Sequence, residues 1–217
     1  MQTLSKIHPT LQQILDNFSD WFFQQDLTQL KIHRRDDFKK NLSYIECTER
    51  QYLEDALPTP ERFGYPRDCY GIDMIVHRNE TNQFPIYFDP ILKKLDDDLM
   101  TFLGARNSAL KMYYPPEGFI GWHNNGNAPG YNIVITYSRT GQGSFYSYDL
   151  NTKEIKEYKD KQGWNVKVGY FGRFSEPERV YWHSARTDCD RLTLSYIIYD
   201  KNIWDNMIEE IGTLDSQ

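Results

Sequence analysis

Two histidines stand where chemistry is possible. His123 lies in "GWHNNGN", just before the alternating run "YNIVITYS", and His183 lies in "YWHSARTDCD", just before "RLTLSYIIYD". A neutral imidazole is a good donor to a borderline divalent metal, and a loop leading into a strand is a place where two such donors can be brought together. Two residues after His123 comes Asn125, polar but uncharged, in a string rich in residues that favour turns. Beyond His183, residues two apart on a strand share a face, so Arg191, Thr193 and Ser195 point one way and Leu192, Leu194 and Tyr196 the other. A guanidinium fork beside hydroxyls is suited to a carboxylate, which it can grip through two parallel N–H bonds with a hydroxyl supplying a third. Each feature has a plainer reading: a histidine before a strand is commonly structural, and an arginine on a strand commonly makes a salt bridge. The combination in this order carries more weight than its parts. His8 and His33 read as solvated, and His77 as a weak candidate at the end of a strand.

The elements that must position these groups fall into two halves. In the first, Leu11, Ile14, Leu15, Phe18, Trp21 and Phe22 recur at helical spacing, with Pro9 at an early position where a missing N–H costs little. A second helix is expected from "DPILKKLDDDLMTFLG", capped by Asp89, opened by Pro90, striped by Ile91, Leu92, Leu95, Leu99, Phe102 and Leu103, and ended by Gly104. Between them "GIDMIVHR" reads as a strand, and the mixed run "KIHRRDDFKK" as a solvated helix face. After Gly104 the chain turns to short β-branched and aromatic segments separated by turn signals such as "DLNTKE" and "DKQG". Short strands in succession suggest a sandwich or barrel. The expected class is therefore α+β, a mostly helical first half packed on a β-rich second half.

Composition narrows the function. The 217 residues carry a formal charge of −6, which disfavours non-specific binding to a nucleic-acid backbone. No run is apolar enough to span a bilayer and no leader peptide is evident, so a cytoplasmic protein without membrane partners is expected. Cys47, Cys69 and Cys189 have no metal-type spacing and read as free thiols. Trp122, Tyr146, Tyr148 and Trp182 are candidates to line a pocket, although aromatics in a β-fold are usually core.

Over about residues 107–200 the sequence resembles the Fe(II)/2-oxoglutarate-dependent oxygenases, and most their prolyl-hydroxylase-type branch. The resemblance implies a double-stranded β-helix, the jelly-roll or cupin-like core, as part of a single domain spanning 1–217. Residues 1–106 would then be a helical, substrate-shaping region and 201–217 a C-terminal tail. It also implies an iron site at His123, Asn125 and His183, with Asn125 at the family's carboxylate position. By the same resemblance Arg191 and Thr193 match the pair that binds the distal carboxylate of 2-oxoglutarate. "YYPPEG" suggests Tyr114 as a co-substrate contact, with Tyr113 the alternative if the register slips, and "IVITYS" suggests Tyr137 as another. The implied activity is a dioxygenase reaction using Fe(II), 2-oxoglutarate and molecular oxygen to hydroxylate a protein or peptide side chain or a small molecule. Asn125 leaves three readings open. Its amide oxygen coordinates iron as a neutral donor or yields to water; the site is degenerate and the jelly roll serves binding or structure; or the Asn125–Gly126 pair deamidates and supplies the carboxylate.

Overall fold

The computed structural model describes residues 1–74 and 86–214. In chain order the elements are β1 (Gln2–Ile7), α1 (Pro9–Phe23), β2 (His33–Asp36), α2 (Arg50–Ala56), β3 (Asp68–Asp73), α3 (Asp89–Leu103), β4 (Asn107–Tyr114), β5 (Phe119–His123), β6 (Gly130–Ser138), β7 (Gly143–Tyr148), β8 (Ile155–Lys159), β9 (Gly163–Phe171), β10 (Trp182–Thr187), β11 (Arg191–Ile198), α4 (Lys201–Ile211) and β12 (Gly212–Leu214). All pairings among the described strands are antiparallel.

The eight strands β4 to β11 pair as a jelly roll. One sheet runs β4-β11-β6-β9 and the other β5-β10-β7-β8, so successive strands alternate between sheets except at the β7–β8 hairpin. Strand β3 crosses from one to the other. Its Ile72 and Asp73 pair with β4, while Cys69 and Tyr70 pair with β5.

Each sheet is covered on its outer face. Against the first lie the stripes of α1 (Leu11, Leu15, Phe18, Phe22), α3 (Leu92, Leu95, Leu99, Leu103) and α4 (Trp204, Met207, Ile211), packed on Ile133, Ile135, Val166, Leu192 and Leu194. Each of these fully buried Leu and Phe side chains contributes about 1.5–3 kcal/mol of transfer free energy. Gly104 ends α3 in the left-handed region at φ 64°, where a Cβ is penalised. Against the second sheet, α2 and its neighbouring turns bring Cys47, Tyr52, Leu53, Ala56 and Phe63 onto Trp122, Tyr146, Tyr148 and Trp182. Those four aromatics are therefore core rather than pocket wall.

Three expectations change. Among the described residues the first half holds three strands as well as helices. The run "KIHRRDDFKK" contains β2, whose His33–Asp36 pair with Gly71 to Asp68 of β3; a short polar segment takes the conformation its neighbour offers. The segment beyond Ile198 is not a simple tail. Asp200 caps α4 by accepting from the N–H groups of Asn202 and Ile203, and β12 then pairs with β1. The strand expected in "GIDMIVHR" is present as the end of β3, while His77 and its neighbours lie outside the described residues.

Candidate functional site

His123 ends β5 and His183 is the second residue of β10, and the two are directly opposite each other in the β5–β10 ladder. Facing positions on neighbouring strands bring side chains together, and the ring centroids are 4.0 Å apart. Both residues are buried. His123 Nδ1 lies 2.9 Å from the carbonyl oxygen of Gly121, and His183 Nδ1 lies 3.0 Å from that of Tyr181. A carbonyl only accepts, so each Nδ1 carries the proton and each Nε2 keeps its lone pair. This is the arrangement in which a metal-binding histidine is oriented by its other nitrogen.

Burial keeps both rings neutral. It lowers the His123 pKa to about 4, with the carbonyls of Gly121 and His183 pulling weakly the other way. His183 is held well below the usual histidine range, first by burial and then by His123. The rings of Phe145, Phe171 and Tyr181 surround His183 at centroid distances of 5.6, 5.0 and 5.8 Å and supply the apolar medium responsible.

The loop after His123 is held from both sides. Asn124 is fully buried; its Nδ2 donates to the Pro60 carbonyl at 2.8 Å, and its Oδ1 accepts from the Gly126 N–H at 2.8 Å. Asn125 and Gly126 both take the left-handed region, at φ 60° and 62°, a conformation asparagine tolerates better than most side chains. A Cβ on Gly126 would stand 3.4 Å from the Gly64 Cα, an ordinary contact, so it is the left-handed backbone rather than crowding that favours glycine there. The string "NNGN" is thus a tight turn, and Asn125 follows the first imidazole in it, half-buried. Among the described residues, no three His, Cys, Asp or Glu side chains meet to hold a metal. Such an ion would have two neutral nitrogens and at most a neutral amide oxygen from these residues. That set fits a borderline divalent ion such as Fe(II) in donor type, and it lacks the anion that usually completes the set.

Arg191 opens β11 and points between the sheets. Its Nη1 donates to Thr193 Oγ1 at 2.7 Å and its Nη2 to Thr136 Oγ1 at 3.4 Å. The pairing of Thr193 with Thr136 across β11 and β6 explains why both hydroxyls meet one guanidinium. Arg191 also has an internal partner: its Nε donates to Asp160 Oδ2 at 2.8 Å, and the other carboxylate oxygen faces Lys167 Nζ at 3.2 Å. All three side chains are almost completely buried, and together they carry one net positive charge. Burial alone would raise the Asp160 carboxyl, but Arg191 and Lys167 outweigh it and hold it below the usual range. Burial lowers Lys167, with Arg191 adding to it and Asp160 opposing.

The three tyrosines separate by face. Tyr114 points inward; the Arg191 Cζ stands 5.9 Å from its ring centroid, and its buried hydroxyl has no hydrogen-bond partner among the described residues. Tyr113, the alternative, faces the other way, its ring 5.3 Å from Phe22 and its hydroxyl donating to Asp190 at 2.7 Å. Tyr137 is also outward, its ring tilted against Phe23 at 5.3 Å and edge-on to Trp164 at 5.1 Å, while its neighbour Thr136 reaches Arg191. The expectation that Tyr137 contacts the co-substrate is therefore corrected, because strand alternation places it under the helices. A buried hydroxyl without a partner is costly, so Tyr114→Phe is expected to raise the stability of the free protein by about 1 kcal/mol. Urea unfolding would check this, and a loss of 1 kcal/mol or more would mean the hydroxyl is satisfied.

Asp160, Lys167 and Thr136 were missed in the sequence. A signal existed for two of them. In "WNVKVGYFG" Val166 and Val168 pack under the helices, so Asn165 and Lys167 must face inward, and an inward lysine needs a buried carboxylate. Asp160 itself carries only a turn signal, in "DKQG".

No protein-family model matches the chain, and no curated protein matches it. Among solved structures it is similar to a prolyl-4-hydroxylase from Pseudomonas putida, with 15% identity over 88% of this chain and 100% of that one and a TM-score of 0.33. It is similar to a viral collagen prolyl hydroxylase from Paramecium bursaria Chlorella virus-1, with 14% identity over 80% and 98% of the two chains and a TM-score of 0.33. A Trichoplax adhaerens prolyl hydroxylase bound to a hypoxia-inducible-factor peptide gives 12% identity over 93% and 97%, with a TM-score of 0.34. Likeness of this degree defines no family, and the functional reading rests on the chain's own residues.

Proposed function

We propose that the protein is an Fe(II)- and 2-oxoglutarate-dependent oxygenase acting on a peptide, a protein side chain or a small molecule. His123 and His183 would hold the metal, Asn125 would stand at the third position, and Arg191 with Thr193 and Tyr114 would receive the keto acid. The observation that carries the reading is the histidine pair: two buried, neutral imidazoles in cross-strand register, each with Nδ1 fixed by a carbonyl and Nε2 left to donate. A buried cationic cluster inside the same jelly roll supports it, since such a cluster favours an anionic ligand.

Bound iron with the keto acid supplies the oxidising chemistry, coupling decarboxylation of the keto acid to oxidation of a substrate by dioxygen. The protein's residues bind, orient and exclude water. The Gly121 and Tyr181 carbonyls fix the ring planes, and Phe145, Phe171 and Tyr181 keep water from His183. With two neutral imidazoles and no carboxylate, the charge of a divalent ion is left for the keto-acid dianion to offset. Fe(II) should therefore bind weakly alone and more tightly with 2-oxoglutarate present.

The test is anaerobic titration of the purified protein with Fe(II), then with 2-oxoglutarate, watching for the visible charge-transfer band of a chelated keto acid. Absence of both metal and keto-acid binding would favour the second reading, a non-catalytic jelly-roll binding protein. That alternative draws on Asn125 and on the internal carboxylate already paired with Arg191. In Asn125→Asp the added negative charge is expected to tighten Fe(II) at least tenfold in the absence of keto acid, about 1.4 kcal/mol. Unchanged affinity would show that this side chain does not face the metal.

A further inference from the structure

Around Arg191 the protein offers hydrogen-bond donors in excess. Arg191 has five N–H groups, of which Asp160, Thr193 and Thr136 take three; Lys167 has three, of which Asp160 takes one. Thr193 and Thr136 accept from Arg191 through Oγ1, which leaves each O–H to donate, and the Tyr114 O–H is buried without a partner among the described residues. The one carboxylate in the cluster, Asp160, is divided between two cations, one oxygen to each. Donors in excess, a net positive charge and deep burial together call for a second carboxylate.

We infer that Lys167 is a second cationic contact for the distal carboxylate of a dicarboxylate ligand, and that Asp160 competes with that carboxylate for both cations. The inference rests on the reading of this interior as a keto-acid site and adds the residues that set its selectivity. Lys167 stands on β9, across β6 from Arg191 on β11, so a carboxylate gripped by both would be held from two strands. Lys167 Nζ also lies 6.0 Å from the centroid of Phe145, whose ring stacks on His183 at 5.6 Å. One aromatic ring thus separates the cationic cluster from the histidine pair. A dicarboxylate keto acid has this layout, with a chelating end and a remote anionic end.

The experiment compares two keto acids on the Fe(II)-loaded protein, kept anaerobic, by calorimetry. 2-Oxoglutarate has the distal carboxylate and 2-oxobutyrate lacks it. Lys167→Met keeps the stem and leaves Asp160 paired with Arg191, so the fold should survive, as a thermal-unfolding scan would verify. It is expected to weaken 2-oxoglutarate by about tenfold or more and to leave 2-oxobutyrate within about twofold. Asp160→Asn removes the competing charge and is expected to tighten 2-oxoglutarate severalfold. Equal losses for both keto acids in Lys167→Met, or none for either, would overturn the role of Lys167, and weaker 2-oxoglutarate binding in Asp160→Asn would overturn competition. Wild-type protein that binds neither keto acid would instead remove the keto-acid reading itself, a result separable from the others because it needs no variant.

Discussion

Arg191→Ala is expected to destabilise the fold by about 3 kcal/mol as well as to abolish dicarboxylate binding. The sequence alone suggests only the second effect. The structure adds the first, because Arg191 is the nearer of two cations holding Asp160, a carboxylate buried to 0% side-chain exposure. Removing one partner of a buried ion pair costs about 3–5 kcal/mol, mostly the penalty of leaving the other charge uncompensated. Lys167 stays beside Asp160, which points to the low end of that range. Urea denaturation of the two proteins measures the difference, and a loss under 1 kcal/mol would mean that Asp160 does not depend on Arg191. A second variant isolates the cause. Arg191→Ala combined with Asp160→Asn should recover a large part of the stability, since the orphaned charge is gone. Fe(II) affinity should remain within about twofold in the single variant, because the guanidinium's partners are Asp160, Thr193 and Thr136 rather than the imidazoles.

The second large effect is acid sensitivity of the metal-free protein. Both histidines titrate lower in the folded state than in the unfolded chain, where the ordinary value is about 6.5. The unfolded state therefore takes up protons first as the pH falls. Their contribution is complete above about pH 6.5 and is lost progressively below it, for His123 down to about pH 4. Each proton taken up only on unfolding gives a slope of about 1.4 kcal/mol per pH unit, so the pair approaches about 2.7 kcal/mol per unit in this window. Chemical unfolding at a series of pH values, in wild type and in His123→Gln, reads the slope. The variant should be less pH-dependent by about one proton between pH 6 and 4.5; identical slopes would mean that His123 is protonated as easily folded as unfolded. The same neutrality makes a statement about metal uptake at pH 7. Fe(II) should bind with no proton release, so the binding heat should be the same in buffers of different ionisation enthalpy.

Much of the scaffold was legible because it follows from periodicity. The stripe of Leu11, Leu15, Phe18 and Phe22 is buried as its spacing requires, and α3 ends at a glycine in the left-handed region. Alternation in "RLTLSY" separates Arg191 and Thr193 from Leu192 and Leu194, which pack under the helices. The cross-strand meeting of His123 with His183 is a matter of register, which no local pattern specifies. The same limit applies to "YYPPEG", where a one-residue slip exchanges Tyr114 for Tyr113 and so the interior for the helical layer. Helix α4 is legible in Trp204, Met207 and Ile211 and in its Asp200 cap, although the resemblance stops at about residue 200 and implies only a tail beyond it. Strand β2 was not readable, since His33 to Asp36 is polar throughout and owes its conformation to β3.

The pairing of β1 with β12 has a consequence for how the chain folds. Leu4 faces Leu214 across that ladder and Ile7 faces Gly212, partners about two hundred positions apart. Gln2 and Thr3 in turn pair with Val168 and Lys167 of β9. During synthesis from the amino end, residues 2–7 emerge well before residues 163–171 and 212–214, with which they pair. Contacts of such long sequence separation carry a loop-closure cost and form late. This edge should therefore be the last part of the sheet to gain amide protection in a pulse-labelled refolding experiment.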